Sequence, residues 1–166
     1  RLQKGSTADA ILGNWRLSGI TTLQAGRPFS VGASNNPMAG AGGARTDLVG
    51  TGYPVLDPGR SKGDRLAAYF DKARFTNPQP NTYGTLGRNA LKGPGFANVD
   101  VSLSKGWRLP FLGEVGQIEY RFEAFNLLNA THMGNPTTGL TNPNFGRITG
   151  TDGNPRILQM ALKIAW

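Results

Sequence analysis

The chain has 166 residues, the length of one domain, and its 24 Gly and 11 Pro argue against a mostly helical fold. With no Cys and one histidine, His132, it has no disulfide framework, no thiolate metal site and no site needing two imidazoles. A formal charge of +8 raises nucleic acid as a partner, but the 18 basic residues are scattered singly with none adjacent, so none is expected.

No run reaches the roughly 18 apolar residues of a membrane-spanning helix, and no basic-then-apolar leader opens the chain. A first residue of Arg1 rather than Met reads as a processed chain or a fragment.

Four stretches alternate with period two. The first strand is expected over 14–31, where Trp15, Leu17, Gly19, Thr21, Leu23 and Ala25 oppose Asn14, Arg16, Ser18, Ile20, Thr22 and Gln24. Residues 15–25, extended at about 3.3 Å each and tilted by about 45°, cover about 25 Å, the height of an apolar membrane band. The second is expected over 98–109, with Val99, Val101, Leu103 and Trp107 opposing Asp100, Ser102, Ser104 and Arg108; Lys105 interrupts the apolar side. The third, 117–128, sets Ile118, Tyr120, Phe122 and Ala124 against Gln117, Glu119, Arg121 and Glu123. The fourth, 156–166, sets Leu158, Met160, Leu162, Ile164 and Trp166 against Gln159, Ala161 and Lys163.

Between the strands lie long connections, 32–97 and 129–155, and one short turn around Pro110. Up-and-down strands put both long connections at one end, the asymmetry of outer-membrane barrels with short periplasmic turns and long extracellular loops. Within the first loop Asp64 is the expected N-cap of a short helix over 65–74, with Leu66, Tyr69, Phe70 and Ala73 on one face. The Gly-rich 39–44 and the Pro/Asn stretch 77–81 read as turns. In the second loop 145–149 is expected to pair with 156–158 across Asp152-Gly153-Asn154-Pro155. The fold class is therefore all-β: an antiparallel up-and-down transmembrane β-barrel segment, closed only with further strands, since the smallest barrels have about eight.

Several motifs add a family. Trp15-Arg16-Leu17-Ser18-Gly19-Ile20, then Gln24-Ala25-Gly26-Arg27-Pro28-Phe29 and the run from Gly87 to Asp100 resemble the C-terminal part of TonB-dependent outer-membrane receptors, closest to the Oar-like branch that carries an N-terminal carboxypeptidase-regulatory-like domain. Phe122-Glu123-Ala124-Phe125-Asn126-Leu127-Leu128-Asn129, Asn144-Phe145-Gly146-Arg147-Ile148 and Pro155-Arg156-Ile157-Leu158-Gln159 continue the resemblance over nearly the whole chain. It implies a strand set from a large barrel that imports substrates through the bacterial outer membrane, powered through a TonB system that acts on parts beyond these strands. It also implies that Leu158, Met160, Leu162, Ile164 and Trp166 are the signal read by the barrel-assembly machinery.

The strand faces then have distinct expected roles. Trp15, Leu17, Leu23, Val99, Val101, Leu103, Ile118, Tyr120 and Phe122 face lipid, whereas Arg16, Gln24, Asp100, Glu119, Arg121 and Glu123 face the lumen. Glu119 and Glu123 are about 13 Å apart on a strand, too far for a glycosidase pair, and Arg121 lies between them. His132 is expected as a solvated loop residue, and the Gly40-Ala41-Gly42-Gly43 run lacks the Lys of a phosphate loop. Asp47, Asp57, Asp64 and Asp71 have no EF-hand spacing. No catalytic residue, metal or cofactor is expected; the expected partners are outer-membrane lipid, the remaining barrel strands and the assembly machinery. The competing readings are a truncated relative assembling with other chains and a soluble all-β binding module.

Overall fold

The computed structural model describes residues 6–33 and 45–166, so the Gly-rich 39–44 lies outside the described residues. The chain divides into two compact units: Arg1–Leu23 with Ala97–Ala130 and Asn154–Trp166, and Gln24–Phe96 with Thr131–Gly153.

The first unit holds α1 (Thr7–Leu12) and a four-stranded sheet of β1 (Trp15–Gln24), β6 (Phe96–Arg108), β7 (Gln117–Phe125) and β8 (Ile157–Ala165), in the order β1-β6-β7-β8. Paired antiparallel residues point to the same side, so register decides whether the four alternations add up. They do. Leu103, Phe122 and Met160 form one cross-strand row, and Trp107, Ile118 and Ile164 another. On the other side Ser102, Glu123 and Gln159 are aligned, as are Gly106, Glu119 and Lys163. β1 joins the far side of β6, with the Asn14 carbonyl accepting from the Gly106 N–H at 3.4 Å and Gly19 beside Asp100.

The β6–β7 connection is tight. A 3-10 turn over Pro110–Leu112 ends at Gly113, whose φ of 102° strains any residue with a Cβ, and the Leu109 N–H closes the turn on the Gly116 carbonyl at 2.8 Å. Among the described residues no second layer covers the apolar side beyond α1 at one end: Leu17 is 72% exposed, Met160 69% and Leu162 62%. That is the opposite of a sandwich, whose inner faces are sealed.

The second unit has a core of its own. Short ladders pair β2 (Pro28–Phe29) with β5 (Leu91–Lys92) and β3 (Asp47–Leu48) with β4 (Phe75–Thr76). Phe70 is fully buried and meets Phe75 and Phe145 edge-on, each at 5.0 Å between centroids, with Phe29, Val31, Leu91 and Ile148 around them. These residues come from both long connections. Aromatic burial at roughly 1.5–3 kcal/mol per side chain orders a stretch that composition alone reads as loop.

Four local expectations are corrected. The strand expected over 14–31 ends at Gln24. Gly26 follows at a backbone crossing, where a Cβ would stand 1.7 Å from the Gly93 oxygen, and Pro28–Phe29 then pairs within the second unit. The third strand stops at Phe125 rather than 128, because Asn126 takes a left-handed φ of 51°. The helix expected over 65–74 is α2 (Lys62–Ala67) followed by a separate 3-10 turn at Lys72–Arg74. Ser61 is the N-cap, and Asp64 is its capping-box partner: the Ser61 hydroxyl accepts from the Asp64 N–H at 3.2 Å and donates to the Asp64 carboxylate at 2.7 Å. The 145–149 segment does not pair with 156–158: β8 pairs with β7 alone, and Met133 bridges Thr151.

Candidate functional site

The alternating sequence of each strand delivers two chemically different surfaces. On the polar side the Arg121 guanidinium donates to Glu119 at 2.7 Å, with Lys163 directly across from Glu119 in the register. Near the β6–β7 turn lies a concavity of about 850 Å³, lined by Arg16, Ser104, Arg108, Gln117 and Glu119 together with Asp9 and Ala10 of α1 and with Trp15 and Trp107. Arg16, Glu119 and Arg121 are thus brought together. Glu123 lies farther along the strand, opposite Ser102.

Asp100 does different work from the other acids. Its carboxylate accepts from the Asn98 side chain and from the Asn126 backbone N–H, both at 2.8 Å. Asn126, only 5% exposed, donates through Nδ2 to the carbonyls of Ala130 and Asn154, each at 3.0 Å, and accepts from the Ala130 N–H at 2.9 Å. The Leu127 N–H reaches the Val99 carbonyl, and the Arg156 N–H reaches the Asn129 side chain. A left-handed turn that would orphan backbone groups is therefore satisfied by one amide, and the ends of β6 and β7 are tied to the chain entering β8.

The opposite end holds a group whose role the alternation does not disclose. Lys105 lies on the apolar side, across from Tyr120, yet it is 3% exposed. Its ammonium donates to the Ile11 carbonyl at 2.6 Å and the Gly13 carbonyl at 2.9 Å, and stands 4.7 Å and 5.2 Å from the Trp15 and Trp107 rings. Both indoles also bind α1: Trp15 Nε1 donates to Ile11 and Trp107 Nε1 to Ala10, each at 3.0 Å. Helix C-terminal carbonyls lack intrahelical donors and carry the negative end of the dipole, so a cation beside two ring faces suits them. The sequence signal was present as a lysine inside an apolar alternation and two residues from a tryptophan.

In the second unit His132 is 8% exposed and stacked on Phe96 at 4.0 Å between centroids, so the expected solvated position is corrected; its backbone carbonyl accepts from the Asp152 N–H. Tyr69 donates to the Lys92 carbonyl at 3.0 Å, and burial pushes its phenol above the ordinary tyrosine range against the pull of the Arg65 guanidinium. Asp57, Asp64 and Asp71 serve local turns and caps, Asp57 accepting from the Gly59 N–H, whereas Asp47 accepts from the distant Thr85 N–H. Among the described residues no group of three or more acidic or imidazole side chains is placed to hold a metal ion.

An uncovered sheet with one apolar and one charged face is a wall between two media. The family described as an outer membrane beta barrel domain matches this chain over residues 1–159. The chain belongs to that family. As a member it is a protein of the bacterial outer membrane, and its four strands are an open arc of the barrel wall. No curated protein and no solved structure matches the chain.

Proposed function

We propose that this outer-membrane barrel domain is the C-terminal strand set of a TonB-dependent receptor, non-enzymatic, taking part in substrate uptake. Trp15, Leu17, Leu23, Val99, Val101, Leu103, Ile118, Tyr120 and Phe122 face lipid in this reading, and the long connections face outward. Arg16, Gln24, Glu119, Arg121 and Glu123 line the lumen, as does the Asp100 stretch of β6. The single supporting observation is the register, which collects the apolar residues of three strands into continuous rows on a side that, among the described residues, only α1 meets, at one end. Energy coupling works through parts outside these strands, and no nucleic acid takes part. Leu158, Met160, Leu162, Ile164 and Trp166 are the segment engaged by the assembly machinery, consistent with β8 being an edge strand.

The open edges of β1 and β8 also support a second reading, in which several copies or a partner chain supply the missing strands. The native mass of the assembled barrel separates the two: one long polypeptide supports the receptor, and several copies of the short chain support assembly. The face assignment itself is tested by insertion. Leu162→Arg is expected to block it at a cost of roughly 2–4 kcal/mol near the bilayer midplane, while Gln159→Arg, on the charged side, is tolerated. Equal sensitivity at both positions refutes the assignment.

A further inference from the structure

We propose that α1 is a membrane-lying helix, stapled to the rim of the barrel wall by Lys105, Trp15 and Trp107, and that its partner is the phospholipid of the leaflet at the short-turn end. The inference rests on the lipid-facing reading of the strands above, and adds to it an element outside the strands.

Its starting point is a conflict. A lysine on a lipid-facing strand surface is costly at depth, so Lys105 must either reach water or be neutralised in place. It does not reach water, being 3% exposed. The carbonyls of Ile11 and Gly13 accept hydrogen bonds from its ammonium instead, and the rings of Trp15 and Trp107 stand beside it. The staple works in both directions. The ammonium consumes carbonyls that the short helix leaves unpaired, and the indole N–H groups bind Ala10 and Ile11, so both partners become less polar together.

What is left outward on α1 is Ile11 at 62% exposure and Leu12 at 65%. A helix of six residues has no reason to be stable in water by itself, and among the described residues nothing covers these two side chains. The same end of the sheet exposes Phe111 and Val115 in the β6–β7 turn and Trp166 after β8. Indoles and large apolar side chains collected at one end of a barrel wall match the headgroup boundary of a bilayer, where rings with a polar edge are favoured. A phospholipid surface covers all of these at once, and it continues the uncovered apolar face of the strands.

The test uses the absence of cysteine from the chain. A nitroxide on Leu12→Cys is compared with labels on Leu162→Cys, on the strand face, and on Lys62→Cys, in the loop unit, with the full chain reconstituted in phosphatidylethanolamine–phosphatidylglycerol vesicles. Collision with dissolved oxygen, enriched in hydrocarbon, and with a water-soluble nickel chelate is read by electron paramagnetic resonance. The Leu12 label is expected to give an oxygen-to-chelate ratio several-fold above that of the Lys62 label. Adding Lys105→Met is expected to bring it down toward the aqueous value while the Leu162 label stays unchanged. A Leu12 label that matches the Lys62 label in the otherwise native chain, with Leu162 in hydrocarbon, overturns this proposal alone, as does a Leu12 label indifferent to Lys105→Met. Aqueous values at both Leu12 and Leu162 overturn the lipid-facing reading and this proposal with it.

Discussion

Single residues carry more of this structure than their count suggests. The Asn126 side chain makes three hydrogen bonds while its backbone is left-handed, so Asn126→Ala strands the Ala130 and Asn154 carbonyls and is expected to cost roughly 1–3 kcal/mol. A lowered urea midpoint of the lipid-reconstituted protein checks this; an unchanged midpoint means water replaces the amide without loss. The motif around Asn126 was visible in the sequence as a resemblance. Its physical reason was not, because Asp100 and Asn154 lie 26 and 28 residues away along the chain. Tyr69 supplies a pH dependence. Its folded phenol is raised, so the neutral form is favoured in the native state. The stability this contributes is fully present below about pH 10, the ordinary tyrosine value, and is lost as pH climbs through the raised one. Alkaline unfolding of the loop unit, followed by its protease sensitivity, is expected to show this dependence and Tyr69→Phe to flatten it.

At the scale of elements, the long strands were legible and the short ones were not. β6, β7 and β8 begin and end within about two residues of the expected alternation, apart from the early stop at Asn126, because a membrane wall demands uninterrupted period-two patterning. Two-residue ladders such as Pro28–Phe29 with Leu91–Lys92 contain too little pattern to register, and the crossing of Gly26 over Gly93 that makes room for them is a distant contact. Gly26→Ala is expected to push these backbones apart. Hydrogen exchange at the Gly93 amide, which donates to the Arg27 carbonyl at 2.9 Å, is the measurement, with faster exchange as the outcome. The loop helix shows the same limit in another form. Asp64 was legible as part of the helix start but Ser61 as its cap was not, and the break after Ala67 follows from Tyr69 and Phe70 being drawn into the aromatic core.

For the whole molecule, an aromatic core that lies entirely within the second unit predicts separable failures. Phe70→Ala removes the centre of the aromatic cluster and is expected to destabilise the loop unit by roughly 3–5 kcal/mol. Proteolysis should then cut within residues 24–96 and 131–153 while the Leu162 label keeps its lipid signature; loss of both signals together would mean that the units fold as one. The sheet predicts its own incompleteness. In hydrocarbon each unpaired backbone group costs several kcal/mol, so the outer amides of β1 and β8 must be paired in the assembled barrel. Slow hydrogen exchange at those amides in membranes is the expected result.

Alternation, composition and the spacing of connections were sufficient on their own for the all-β class and the two strand faces, because each is a local property: a period, a length or a ratio read along one strand; the outer-membrane setting also needed the motif resemblance and the family match. Three features were settled only in three dimensions: the aromatic core that orders the long connections, the amide of Asn126 that gathers three strand ends, and the capture of Lys105 by a helix more than ninety residues earlier. Each depends on groups far apart in the chain meeting at hydrogen-bond or van der Waals distance. No one-dimensional pattern encodes such a meeting, since the energy that selects it exists only after the chain has closed on itself.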